Sequence, residues 1–151
     1  MTKLSQLKLK TGKGKAHQSG FTLIELMVVI VIIGILVKVA VPAYNSSVLA
    51  SHRTDAKTAL LDLATREEKF YSIQNQYSQT ASDLYGSGAT GFPNPQSGST
   101  AYYTLGVATS SSNAAYTATA TLITAGDPCG NFTITNTGLT GNTGTQTTGC
   151  W

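Results

Sequence analysis

The chain has 151 residues, enough for one ordinary domain, with 41% hydrophobic and 11% charged residues. Its formal charge of +3 is unevenly placed: Lys3, Lys8, Lys10, Lys13 and Lys15 precede Gly20, and all seven acids follow it. Downstream of Gly20, five Lys/Arg face seven Asp/Glu, a net of −2, so the basic balance belongs to the leader and not to the working protein.

The first element is that leader, residues 1–20. Basic residues ahead of an apolar span hold their side in the cytoplasm. The span follows at once. Gly20-Phe21-Thr22-Leu23-Ile24-Glu25 opens an apolar run that continues to Val41. As a helix, residues 21–41 extend about 32 Å, enough to cross a bilayer. A secretory signal fits poorly, because its apolar region is about 7–15 residues long and closes on a small-residue cleavage site. No Ala-x-Ala site closes this run. A plain single-pass anchor leaves Glu25 unexplained. A charged group at the centre of a membrane helix costs roughly 2.5–3.5 kcal/mol, so it is retained for a function. Lys38 lies about 26 Å along the helix from Phe21; before assembly it is expected to snorkel to the headgroups, and inside a filament the alternatives are continued snorkelling or a partner carboxylate.

Pro42 need not end the helix; it removes one hydrogen bond and bends the axis. Beyond it, Leu49, Ala56, Leu60, Leu63 and Phe70 recur at spacings of three, four and seven and form one stripe. Asp62 and Arg66, four apart, are expected to pair on the outer side. The pattern predicts one helix of about fifty residues to about Gln74, half membrane-embedded and half packed on a domain. Residues 75–100 read as a loop, punctuated by Gly86, Gly88, Gly91, Pro93, Pro95 and Gly98. Strands are expected at 102–107, 115–123 and 131–135, the second alternating Thr outward with apolar residues inward. A short fourth strand is expected in the Gly/Asn/Thr-rich tail. With an extracytoplasmic topology Cys129 and Cys150 are expected to form one disulfide, closing a loop of about 21 residues worth roughly 3 kcal/mol. A helix packed on an antiparallel sheet is the α+β solution for such elements.

The run GFTLIELMVVIVIIGIL, with Gly, then Phe, then Glu at the fifth position of a long apolar helix, closely resembles the N-terminal signature of type IV pilins. Arg53-x-x-Ala56-x-x-x-Leu60, Glu67-x-x-Phe70-Tyr71-x-x-x-x-x-Tyr77, Cys129-Gly130-Asn131-Phe132-Thr133-Ile134 and the terminal Gly149-Cys150-Trp151 look like minor pilins of PilE type. The resemblance implies the pilin fold: a long N-terminal helix packed on an antiparallel sheet, with a C-terminal disulfide loop. It implies a leader at 1–20, an assembly helix at 21–45 and a globular domain at 46–151. A prepilin peptidase would cut after Gly20 and methylate the amine of Phe21. Glu25 would neutralise that amine, its own or a neighbour's. Gly34 and Pro42 match two helix-weakening positions. The expected partners are other pilin subunits, the peptidase and the inner-membrane assembly machinery. The chain would sit in the inner membrane before assembly and in an extracellular pilus afterwards. No cofactor or metal is expected.

Two rivals share the N-terminus. A DNA-receptor competence pilin needs several Lys/Arg against phosphates, and residues 71–151 contain none. DNA is therefore not expected as a partner. A type II secretion pseudopilin often holds calcium, which wants six to eight oxygens. After the helix this chain offers only Asp83 and Asp127. An anchored enzyme is weaker still, since an acid–base pair is hard to assemble from two Asp with no His or Glu. The reading is a structural pilus subunit, minor rather than major.

Overall fold

The computed structural model of the protein describes residues 20–97, 100–146 and 148–151. The leader lysines Lys3 to Lys15, and Gly98 in the predicted loop, lie outside the described residues. The chain divides into two units, Met1–Ala40 and Val41–Trp151. One helix, α1 (Leu23–Gln74), has 52 residues and continues through Gly34 and Pro42.

In the first unit every described residue is solvent-exposed. Its helical part is apolar on all sides, with a mean hydropathy of 2.8 over 18 residues. Such a surface is stable only when lipid or protein covers it.

In the second unit α1 is amphipathic. Ala56, Leu60 and Leu63 are fully buried at 0% exposure, and Leu49 and Phe70 are half-buried. The predicted stripe is therefore the face turned to the core. Two residues on that face were not read as core, His52 and Glu67, and both are buried. Asn75 ends the helix with a φ of 53°, and its N–H donates to the Tyr71 carbonyl at 2.8 Å. Asn tolerates the left-handed conformation better than most residues.

The segment at 75–100 is not simply a loop. It holds a short helix, α2 (Ala81–Tyr85), then a two-stranded hairpin of β1 (Gln96–Ser97) and β2 (Thr100–Ala101). Alternation over so few residues cannot register a periodicity. Ala81 and Leu84, three apart, turn inward from α2 and supply the missing apolar signal.

Four antiparallel strands follow in spatial order: β3 (Tyr103–Thr109), β4 (Tyr116–Leu122), β5 (Phe132–Thr135) and β6 (Thr140–Asn142). Leu105 faces Ala120, Ala120 faces Phe132, and Phe132 faces Asn142. Tyr116, Ala118 and Ala120 of β4 are buried while Thr117 and Thr119 are half-exposed. That is the predicted alternation. β6 is the short fourth strand expected in the tail. One core joins Ala56, Leu60 and Leu63 of α1 with Tyr103, Leu105, Ala118, Ala120, Phe132 and Ile134 of the sheet. The chain is α+β, with the long helix and antiparallel sheet that the sequence led one to expect.

Cys129 and Cys150 are joined in a disulfide, with their Cα atoms 5.7 Å apart. The loop it closes is tightly folded. The N–H of Gly144 donates to the Cys129 carbonyl at 2.9 Å. A Cβ on Gly144 would collide with the Pro128 carbonyl oxygen and the Cys129 carbonyl carbon, so only glycine allows this approach. Trp151 closes the end. Its ring meets Phe132 edge-on at 5.8 Å, and its indole N–H donates to the Gly141 carbonyl at 2.7 Å.

Candidate functional site

The N-terminal segment carries the residues singled out in the sequence. Gly20 and Phe21 precede the helix and are exposed. Thr22 begins it: its Oγ1 accepts from the Glu25 N–H at 3.3 Å, and its carbonyl accepts from the Leu26 N–H at 3.2 Å. Thr22-x-x-Glu25 has the capping-box spacing, which places Glu25 in the first turn beside the positive end of the helix dipole. The sequence reading missed this local role, although Thr three residues before Glu is a legible signal. Glu25 and Lys38 are both exposed, and Gly34 and Pro42 lie inside unbroken helix.

In the second unit the polar chemistry centres on Asp127, whose side chain is 0% exposed. Arg53 of α1 donates from Nε to both carboxylate oxygens at 3.0 Å and from Nη2 to Oδ1 at 2.6 Å. The Tyr103 hydroxyl donates to Oδ2 and the Cys129 N–H to Oδ1, each at 2.8 Å. One carboxylate thus ties α1, β3 and the disulfide loop together. Burial alone would push its pKa up. The hydrogen bonds from Arg53, Cys129 and Tyr103 and the Arg53 charge overcome that and hold it below the usual carboxylate range. In return, burial and the Asp127 carboxylate drive the Tyr103 phenol upward.

Glu67 is the opposite case. It is fully buried; Oε2 accepts from the Ser78 N–H at 3.1 Å, and Oε1 has no partner among the described residues. Burial raises its pKa, the Ser78 N–H opposes this, and nearby Glu68 and Asp83 add to the rise. A folded pKa above the unfolded one means a contribution that is full at acid pH and lost as pH rises through the folded value. Glu67→Gln keeps an acceptor for Ser78 and removes the charge. It is expected to raise thermal stability at pH 8 and to change it little at pH 4, measured by unfolding the full-length chain at both. A lower melting temperature at pH 8 would contradict the assignment.

Two further cations of this unit have partners. Arg66 Nε donates to Asp62 at 2.8 Å, the predicted pair, and its guanidinium lies 4.3 Å from the Tyr85 ring centre. Lys57 sits 5.7 Å over the Phe132 ring. His52 is buried, stacked on Tyr102, and borders a cavity of ≈ 480 Å³ whose walls include Leu49, Leu122 and Asp127.

Residues 42–133 match the family model described as "Type IV minor pilin ComP, DNA uptake sequence receptor", and residues 15–37 match the "Prokaryotic N-terminal methylation motif". Among curated relatives, the type IV major pilin protein PilA of Myxococcus xanthus is 37% identical over 76 residues, 50% of this chain and 34% of that protein. The type IV major fimbrial protein FimA of Dichelobacter nodosus is 39% identical over 98 residues, 58% of this chain and 56% of that one. Fimbrial protein EcpC of Eikenella corrodens is 57% identical over 42 residues, 28% of each chain. These alignments thus reach from about a quarter to just over half of the relatives' lengths. A solved type IV pilin of Shewanella oneidensis aligns with a TM-score of 0.47 at 20% identity, covering 67% of this chain and 94% of that one. The match over residues 42–133 takes in more than half of the chain, and with the methylation motif ahead of it, this protein belongs to the type IV pilins, in the family that the minor-pilin model describes.

Proposed function

We propose that this chain is a structural subunit of a type IV pilus, minor rather than major. Prepilin peptidase cuts it after Gly20 and methylates Phe21. The inner membrane holds it through residues 21–45 until the assembly machinery adds it to the filament, where its domain, residues 46–151, faces outward. There it supports pilus assembly, and adhesion or twitching motility or both. The observation that carries this reading is the exposed apolar part of α1, residues 23–40, with Glu25 in its first turn and Thr22 accepting from the Glu25 N–H. Cleavage turns Phe21 into a cationic amine beside that carboxylate. Gly34 and Pro42, about 1 and 3 kcal/mol poorer than Ala inside a helix, are where α1 loosens on assembly. The Cys129–Cys150 bridge suits an oxidising exterior. The role is structural and not enzymatic: residues 75–151 hold no His, Glu, Lys or Arg, and Asp127 is committed to Arg53. Recovery of the chain in the sheared-filament fraction tests the reading. A chain confined to the membrane fraction would contradict it.

The family model's description favours a second reading, reception of DNA. Charge weighs against it. The domain's four cations lie on α1, facing six acids, and two of the four are tied to carboxylates. Phosphate contacts need free Lys or Arg. Titrating the full-length chain in detergent with labelled duplex at about 50 and 200 mM salt is expected to give weak, salt-sensitive binding. Sub-micromolar affinity that survives the higher salt would put the DNA-receptor reading first.

A further inference from the structure

His52 lies on the inward face of α1 with 6% of its surface exposed, and neither ring nitrogen has a partner among the described residues. A buried polar group is costly unless it is hydrogen-bonded, and an uncharged imidazole has both a donor and an acceptor to satisfy. The ring is stacked on Tyr102, with centroids 3.4 Å apart and planes 22° from parallel. It also lines the cavity of ≈ 480 Å³. Sites for small molecules span about 300–1,000 Å³. Asn45, Leu49 and His52 follow one another at steps of four and three, so α1 turns all three to the cavity. Tyr102, just ahead of β3, and Leu122, the last residue of β4, face them across it. Asn45, Thr124, Ala125 and Gly126 are exposed and mark its open side.

We propose that this cavity binds an uncharged aromatic ring bearing a hydroxyl group, which hydrogen-bonds to His52. The walls select that class. Leu49, Leu122 and Ala125 take an apolar body, and the Tyr102–His52 stack takes a ring edge-on or offset. Asp127 is the one acid on the described walls, and it repels an anion. A cation finds no free acceptor there. A carboxylate has about four acceptor sites, and those of Asp127 are already taken by Arg53, the Tyr103 hydroxyl and the Cys129 N–H. A hydroxyl both donates and accepts, so it satisfies whichever ring nitrogen it meets, in either tautomer. Two sources carry this chemistry: a free phenol, and a tyrosine side chain on a partner protein. The site does not depend on the filament reading.

Phenol and benzene are the probes, titrated into the full-length chain in detergent while the methyl NMR signals of Leu49 and Leu122 are followed. Both leucines line the cavity, so their signals report a ring placed there and not probe dissolved in detergent. Phenol is expected to saturate the shift with a Kd of about 1 mM. His52→Phe keeps a ring on Tyr102 and removes both nitrogens. It is expected to weaken phenol about tenfold and to leave benzene unchanged, since only the hydroxyl loses its partner. Its melting temperature is expected to rise, because two unpaired buried atoms are gone. Ala125→Trp, at an exposed position on the open side, leaves the core untouched and is expected to weaken both probes. N-acetyltyrosinamide separates the sources: an affinity at least equal to that of phenol assigns the site to a tyrosine on a partner, and one about tenfold weaker to a free phenol. No saturable shift up to about 20 mM phenol, or the same phenol affinity in His52→Phe as in the wild type, would overturn the site. Unchanged affinity for both probes in Ala125→Trp would overturn it as well.

Discussion

Asp127→Ala is expected to destabilise the folded chain by about 3 kcal/mol, the low end for a buried ion pair, because the Arg53 guanidinium left without its partner is only part-buried. For a protein of this size that is a fall in melting temperature of roughly 10 °C. The Tyr103 hydroxyl and the Cys129 N–H lose their acceptor in the same step. Replacing both partners, Arg53→Met with Asp127→Leu, is expected to cost less than Asp127→Ala alone, because no buried charge is then orphaned. Thermal unfolding in detergent of the wild type, Asp127→Ala, Arg53→Met, Asp127→Leu and the double replacement provides the comparison. A double replacement that costs the sum of the two single ones would show that Arg53 and Asp127 act independently. The pH dependence has a definite sign. The folded pKa of Asp127 lies below the unfolded one, so its contribution is present above an unfolded carboxylate pKa of about 4 and lost as pH falls through the folded value. Asp127→Ala should therefore lose its effect in strong acid.

Glu25→Ala is expected to leave membrane insertion intact and to cut incorporation into filaments about tenfold or more. Removing a charge favours the lipid state, on insertion scales by roughly 2.5–3.5 kcal/mol for a central position. In the filament the same change strands the Phe21 amine. It also removes a first-turn carboxylate from the helix dipole, worth only about 0.3–1 kcal/mol, too little to account for a tenfold loss by itself. The Thr22 cap remains, since its Oγ1 bonds the backbone N–H of residue 25 and not the side chain. Subunit levels in membranes and in sheared filaments separate insertion from assembly. Normal incorporation of Glu25→Ala would remove the assembly role given to Glu25.

Periodicity made most of the fold legible. Leu49, Ala56, Leu60, Leu63 and Phe70 mark the inward face of α1 because every turn of a helix on a core repeats the same choice. The Thr-Ala alternation of β4 does the same at period two. Local pairs were equally readable: Asp62 and Arg66 sit four apart on one helix. What escaped was long-range or short. Arg53 meets Asp127 across 74 residues of sequence, and no spacing rule links them. A weaker signal was present. Leu49, Arg53, Ala56, Leu60, Leu63, Glu67 and Phe70 follow one another at steps of four and three, so Arg53 and Glu67 fall on the apolar stripe itself. A charge there must find a partner, as Arg53 does, or shift its titration, as Glu67 does. α2 and the β1–β2 hairpin have too few residues to show a period. Trp151, noted only as part of the ending, packs on Phe132 and closes the chain against β6. Of the residues proposed to act in assembly, Glu25 stood out because a carboxylate within an apolar span is costly. Thr22 did not stand out, because a threonine there costs nothing.

The intact mass of the subunit recovered from sheared filaments tests most directly the proposed cleavage after Gly20 and methylation of Phe21. The expected species begins at Phe21, carries one methyl group on its α-amine, and lacks two thiol hydrogens for the Cys129–Cys150 bridge. A subunit that retains residues 1–20, or begins anywhere other than Phe21, would contradict it.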